Sequence, residues 1–291
     1  MIPITGHTKL TGLLGSPVEH SISPMMHNTS FQALDLDYVY LCFDVKENGL
    51  KDSIQGLRTL GVKGFNLTMP NKNKVLEYLD DLSAAAHCIG AVNTVENRDG
   101  KLIGHNTDGI GFMRSVKEQG ISVEGKTITL MGIGGAATAI CTQAALDGAK
   151  AIHIFARSTS RFLPRIREVI SRLSAQVSCD IRILDNEDHT ALRESLSESV
   201  LLVNATSVGM APDTDACILP DASFLHPALA VADIIYNPWE TRLLAMAREA
   251  GCKAFNGYSM LLYQGAEAFR IWTGREMPVD LVQKTLKKNQ P

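Results

Sequence analysis

The stretch Lys126-Thr127-Ile128-Thr129-Leu130-Met131-Gly132-Ile133-Gly134-Gly135-Ala136-Ala137 decides how this chain folds. Lys126 to Met131 is rich in β-branched and long apolar residues, which suit a buried strand. Glycines follow at 132, 134 and 135, and Ala136 to Asp147 then has helical spacing. A strand, a glycine turn and a helix in that order fit G-x-G-x-x-A through Gly132, Gly134 and Ala137. Gly132 permits the tight turn, Gly134 lets the backbone approach a pyrophosphate, and Ala137 lets the helix pack on the strand. Gly135 adds another position without a side chain. The helix start contributes N–H groups and a positive dipole end, so a dinucleotide site is expected here. The plain alternative is a mere strand–helix turn.

The next strand, Ala151 to Ala156, should choose the cofactor. An acid at its end would bond a ribose 2′-OH and favour NAD. The stretch Phe155-Ala156-Arg157-Ser158-Thr159-Ser160-Arg161 has none. Arg157 and Arg161 could clamp a 2′-phosphate, with Ser158 or Thr159 as donors, so NADP is favoured and NAD kept as the alternative. Both arginines extending into solvent is the ordinary reading. Working outward, Arg161 to Ala175 reads as a helix. Asp180 to Leu184, Leu201 to Asn204, Leu229 to Ile234 and Cys252 to Phe255 read as strands. This alternation describes a doubly wound parallel sheet.

The N-terminal part is also α/β. Strands are expected at Thr11–Gly15, Tyr38–Phe43 and Gly64–Thr68, and helices at Met25–Leu34, Gly49–Leu60 and Leu82–Cys88. Ala91–Glu96 and Lys101–His105 should pair as a hairpin around Asn97-Arg98-Asp99-Gly100, because Asp-Gly is a turn dipeptide. Ile110–Gln119 reads as a helix, as do Met260–Thr273 and Val279–Lys287. At 291 residues the chain has room for about two domains.

Composition bounds the function. With 28 basic and 31 acidic side chains the net charge is −3, which supplies no field for a phosphate backbone and argues against nucleic-acid binding. No apolar run is long enough to span a bilayer. Met1-Ile2-Pro3-Ile4-Thr5-Gly6 lacks the basic and apolar segments of a signal peptide. Cys42, Cys88, Cys141, Cys179, Cys217 and Cys252 form no Cys-x-x-Cys pair and read as free thiols of a reducing compartment, so a cytoplasmic location is expected. His20 and His27 have no acidic or thiol cluster around them, so no metal is expected.

Polar clusters sit at strand ends and helix starts of the first part, where α/β proteins place ligand-facing groups. They are Ser21-Ile22-Ser23-Pro24, Asn66-Leu67-Thr68-Met69-Pro70-Asn71-Lys72, Gly90-Ala91-Val92-Asn93-Thr94 and Asn106-Thr107-Asp108-Gly109. Hydroxyls and amides suit a polyhydroxylated substrate, and a lysine–aspartate pair suits proton transfer to an alcohol or ketone. Singly, Lys72 reads as a surface lysine after a turn, Asp108 as a helix N-cap, and Ser21 and Ser23 as caps.

Together with Asn204-Ala205-Thr206-Ser207-Val208-Gly209-Met210 and Gly257-Tyr258-Ser259-Met260-Leu261-Leu262-Tyr263-Gln264-Gly265-Ala266, these motifs resemble the shikimate dehydrogenase family along nearly the whole chain. Met69-Pro70-Asn71-Lys72 and Tyr263 to Glu267 resemble its quinate/shikimate branch. The resemblance implies reversible, nicotinamide-dependent reduction of 3-dehydroshikimate to shikimate. It implies Lys72 and Asp108 as the catalytic pair, with Ser21, Ser23, Asn66, Thr68, Asn93, Tyr236 and Gln264 on the substrate. Gly132, Gly134, Gly135 and Ala136 would hold the pyrophosphate, and Asn204, Thr206 and Gly257 would line the nicotinamide side, with Arg157 and Ser158 kept at the 2′-phosphate on the charge argument above. Ile133 stands where the family usually has alanine, and its side chain is expected to point away from the cofactor.

The expected architecture is an α/β substrate domain, residues 1–107 with 258–291, plus a Rossmann-like NAD(P) domain, residues 108–257, with a deep cleft between them. The expected partner is a small molecule, shikimate or 3-dehydroshikimate, with quinate left open; no nucleic acid or membrane is expected, and a homodimer is left open. A quinate/shikimate dehydrogenase using NAD or NADP is the alternative. A non-catalytic ligand sensor of the same fold is a third reading, against which the presence of both Lys72 and Asp108 speaks.

Overall fold

The computed structural model describes residues 4–288, so Met1 to Pro3 of the opening stretch and Asn289 to Pro291 of the returning segment lie outside the described residues. The chain divides into two compact units: one runs up to Thr107 and resumes at Gln264, and the other is Asp108–Tyr263.

The first unit begins with β1 (Lys9–Gly15), α1 (Ser23–Ala33), β2 (Tyr38–Asp44), α2 (Glu47–Thr59) and β3 (Gly64–Leu67). It continues with β4 (Asp81–Leu82), α3 (Ala84–Ile89), β5 (Thr94–Arg98) and β6 (Lys101–His105). The sheet order is β2-β1-β3-β5-β6-β4. β1 is parallel to β2 and β3, whereas β5 runs antiparallel to β3 and β6. Arg98 pairs with Lys101, leaving Asp99 and Gly100 as a two-residue turn at φ 53° and 92°. Two positive φ values are what a type I′ hairpin turn requires. Leu14, Leu50, Ile54, Phe65, Leu67, Val75, Val92, Val95 and Leu102 fill the core against this sheet.

The second unit begins with α4 (Asp108–Glu118), β7 (Thr127–Met131), α5 (Gly135–Leu146), β8 (Ala151–Ala156), α6 (Leu163–Ser174) and β9 (Asp180–Asp185). Then come α7 (His189–Glu198), β10 (Ser199–Asn204), β11 (Ala230–Asp233), α8 (Arg242–Glu249) and β12 (Lys253–Phe255). α9 (Tyr258–Thr273) carries the chain back to the first unit, which ends with α10 (Val279–Lys288). The sheet order is β12-β11-β10-β7-β8-β9, and every pairing is parallel. This is the doubly wound order, with strand order reversing between β7 and β10. The central strands β7 and β10 are buried at all but one residue each and β8 at every residue, as expected of strands covered on both faces. α5 presents Ala137, Ala139, Ile140, Cys141 and Ala144 to the interior, all fully buried, so small side chains bring it close to the sheet. α4 packs tightly on α5: a Cβ on Gly109 would run into the Ala139 carbonyl.

The sequence reading missed α7, α8 and β4, and it gave Leu82 to the following helix. Neither Ser21 nor Ser23 caps α1. Its N-cap is Ile22, and the Ser21 Oγ instead accepts from the Ser23 N–H at 3.2 Å. None of the six cysteines is in a disulfide; three are buried and three half-buried. Among the described residues no helix is long and apolar enough to cross a membrane, and no cluster of three or more His, Cys, Asp or Glu side chains could hold a metal.

Candidate active site

In the second unit, register puts the strand ends in one row. Met131 lies opposite Phe155 and Asn204, and Asn204 opposite Asp233. β7, β10 and β11 end at this row and β8 one residue past it, around the point where strand order reverses. A cavity of about 1060 Å³ opens there. Its walls include Gly132 to Ala136, Arg157, Thr206 and Tyr236 from the residues expected at the cofactor and substrate.

The glycine turn suits a diphosphate. Gly132 has φ 104°, in the left-handed region, and a Cβ there would sit 2.9 Å from the Thr206 methyl and 3.0 Å from the Ala205 carbonyl. Gly134 and Gly135 are different: nothing lies within 4 Å of where their Cβ atoms would be. That space is open to a ligand, at the N-terminus of a 12-residue helix whose first N–H groups have no intrahelical acceptor. The residues therefore fit a dinucleotide. Ile133, only 6% exposed, is also among the residues around this cavity.

At the β8 end, Arg157 is exposed and lines the cavity, as does Ser160. Ser158 and Thr159 are exposed but are not on the wall. Arg161 lies over the Phe162 ring, 4.9 Å from its centroid. Asn186, after β9, and Phe162 also line this end, and neither was singled out from the sequence. The available signal for Asn186 was its place just past a recognised strand.

At the other end Thr206 reaches the wall and Asn204 does not. Asn204 is fully buried; its Nδ2 donates to the Val208 carbonyl and to Asp233 Oδ1, both at 3.1 Å. Its Oδ1 accepts from the Thr206 N–H at 3.1 Å and the Thr206 hydroxyl at 2.7 Å. Asn204 thus shapes the loop that Thr206 presents. Asp233 closes the network, accepting from the Thr241 hydroxyl at 2.8 Å and the Ile235 N–H at 3.0 Å. Burial raises its carboxyl above the usual range, and these bonds only partly offset the rise. Gly257 is a packing residue: a Cβ there would run into the Ile234 carbonyl, behind the cavity wall.

The first unit holds the remaining residues except Asp108, the first residue of the second. Cys42, Leu13, Asn66, Thr94 and His105 lie in one row across the sheet. The Tyr40 hydroxyl donates to Asn66 Oδ1 at 2.7 Å, and Asn66 Nδ2 donates to the Asn93 carbonyl at 3.1 Å and Thr94 Oγ1 at 3.0 Å. Asn93 Oδ1 accepts from the Thr107 N–H at 2.8 Å, and its Nδ2 donates to Thr107 Oγ1 at 3.0 Å. Asn93 therefore holds the backbone one residue before Asp108, which opens α4. Burial pushes the Tyr40 phenol well above its usual range, eased by a hydrogen bond to Ser23; burial likewise raises the Cys42 thiol, eased by one to Ser21. Asn66 and Asn93 are 7% and 3% exposed, so much of their bonding capacity goes to the framework.

The loop after β3 is anchored at several points. The Thr68 N–H donates to the Leu14 carbonyl at 3.1 Å, Asn71 Nδ2 to the Val45 carbonyl at 2.7 Å, and the Val92 N–H to the Lys72 carbonyl at 2.8 Å. Thr68 and Lys72 are half-buried at its two ends. Gln264 sits on α9 beside Gly265, whose missing side chain makes room for Met26 of α1.

A family model described as the shikimate dehydrogenase substrate binding domain matches residues 13–95, and one described as the shikimate 5'-dehydrogenase C-terminal domain matches residues 257–287. The chain is 50% identical over 283 residues to the shikimate dehydrogenase (NADP(+)) of Listeria innocua, covering 97% of each. The chain belongs to the shikimate dehydrogenase family. Among solved structures of the family, shikimate 5-dehydrogenase from Listeria monocytogenes, in complex with shikimate and NAD, superposes with a TM-score of 0.94 at 50% identity, covering 97% of this chain and 98% of that one. Quinate dehydrogenase from Corynebacterium glutamicum, in complex with NAD, gives 0.85 at 30% identity, covering 97% and 99%.

Proposed function

We propose that this protein catalyses the reversible, NADP-dependent reduction of 3-dehydroshikimate to shikimate. The observation that carries the reading is the second unit's cavity, where an open glycine turn lies between Arg157 at the β8 end and Thr206 and Tyr236 at the β10 and β11 ends. Membership of the family supplies the reaction.

Gly132, Gly134, Gly135 and Ala136 take the diphosphate on backbone N–H groups, and Arg157 takes the 2′-phosphate. The bound nicotinamide supplies a hydride to the substrate carbonyl carbon. Negative charge then develops on the carbonyl oxygen, and Lys72 donates a proton to it; in the oxidative direction Lys72 takes that proton back. Asp108 orients the Lys72 ammonium. Ser21, Ser23, Asn66, Thr68, Asn93, Tyr236 and Gln264 bind the hydroxyls and carboxylate of the ring. The buried amides of Asn66 and Asn93 are held by neighbours before any ligand arrives, which lowers the ordering cost of binding. The protein works in the cytoplasm, where six cysteines outside any disulfide stay reduced.

Initial rates with shikimate or quinate, each with NADP or NAD, test this reading. Turnover confined to shikimate with NADP is expected. Comparable quinate turnover, the second reading favoured by the likeness to quinate dehydrogenase, would move the substrate assignment. Inactivity with all four combinations would refute the enzyme reading.

A further inference from the structure

At its β9 end the cavity has a polar group that neither the diphosphate nor the 2′-phosphate uses. Asn186 lines it, and the Asn186 Oδ1 is buried without a hydrogen-bond partner. Its backbone is fixed, with the N–H donating to the Ala156 carbonyl at 3.2 Å beside the β8 end. A buried amide oxygen left unpaired is costly, so such a group marks a place where a donor belongs.

Position identifies the donor. β9 is the second strand from β7, on the side away from Thr206 and Tyr236. At roughly 4.8 Å per strand, Asn186 stands about 10 Å from the glycine turn. With the diphosphate at the turn and the 2′-phosphate on Arg157, the group that reaches this far is the base. The Phe162 ring, 40% exposed, lines the same end and offers a flat face for a heteroaromatic ring.

We propose that Asn186 reads the base of the dinucleotide, its Oδ1 accepting a hydrogen bond from the exocyclic amine of adenine. The proposal rests on reading the cavity as the NADP site. Adenine offers that amine as a donor, whereas a purine with hydrogen in its place offers none. Asn186 is thus a specificity-determining residue distinct from the arginine that answers the 2′-phosphate.

Calorimetric titration of the intact protein tests this without turnover. Two ligands are compared, adenosine 2′,5′-bisphosphate and the purine riboside 2′,5′-bisphosphate that lacks the amine. The wild type should prefer the adenosine ligand by about tenfold, the worth of one buried hydrogen bond. Asn186→Leu should bind the two within about twofold, while Asn186→Asp, which keeps an acceptor oxygen, should retain the preference. Equal wild-type affinities, an equal loss for both ligands in Asn186→Leu, or loss of the preference in Asn186→Asp would overturn the assignment. Failure of both ligands to bind the wild type would instead remove the dinucleotide reading, and this one with it.

Discussion

His27 makes the acid stability of this protein calculable. It lies on α1, wholly buried, with both ring nitrogens unpartnered. Its ring stacks on Tyr40 at 4.5 Å and 11°, with Trp272 at 5.2 Å and Phe31 and Phe269 at 6.2 Å. An imidazolium has no counter-charge or acceptor in such a cage, and burial lowers its pKa from 6.5 to about 3. In the unfolded chain the same ring protonates near its ordinary value. Between these values the unfolded state binds a proton that the native state refuses, so stability is complete above the upper one and drains away as pH falls. Each unit costs about 1.4 kcal/mol, so moving from about pH 8 to about pH 4.5 removes about 2.7 kcal/mol through His27 alone. His27→Phe keeps an aromatic ring and removes the proton. Urea unfolding of both proteins at the two pH values isolates the contribution, because shifted carboxyls such as Asp80 and Asp221 are common to both. The variant should match the wild type within about 1 kcal/mol at the higher pH, since replacing an unpaired polar ring by an apolar one costs little. It should lose about 2.7 kcal/mol less on acidification. Equal losses in the two proteins would refute the reasoning.

Two further outcomes follow from the second unit. Arg157→Ala should raise KM for NADPH by one to two orders of magnitude and leave KM for NADH within about twofold, because a guanidinium–phosphate pair is missing only in the first case; parallel changes would make Arg157 a bystander. Gly257→Ala forces a Cβ into the Ile234 carbonyl, and chemical denaturation should show a loss of about 2–4 kcal/mol. An unaltered midpoint would contradict that packing.

Much of the fold was legible because local chemistry and global topology agree. The glycine turn sits where strand order reverses, and Ala151 to Ala156 reads as a strand because all six residues are buried on two faces. The hairpin followed from Asp99-Gly100. α7 and α8 were missed for a different reason. α7 buries Leu192, Ser195 and Leu196 within a run of polar residues, so its apolar stripe is thin. Caps were present in both cases: Asp188 accepts from the Ala191 N–H and Thr241 from the Leu244 N–H.

The candidate site was legible in its residue types and less so in their tasks. Asn204 read as part of the nicotinamide wall, but its amide is spent on Asp233, 29 residues on, and such a partnership leaves no local trace. Gly257 read as a ligand-facing glycine, whereas its need is set by Ile234 on the neighbouring chain segment. Ser160 lines the wall in place of Ser158 because the turn after β8 decides which hydroxyl faces inward. Asn186 stood outside every recognised motif.

The most direct measurement is single-turnover reduction of 3-dehydroshikimate by Lys72→Ala, following the reduced-nicotinamide absorbance, with ligand binding measured separately. If Lys72 protonates the developing alkoxide, NADPH and substrate should bind within about threefold of wild type while the rate constant falls by two to four orders of magnitude, the range of general acid catalysis. A near-normal rate constant would contradict the account and remove Lys72 from the chemistry.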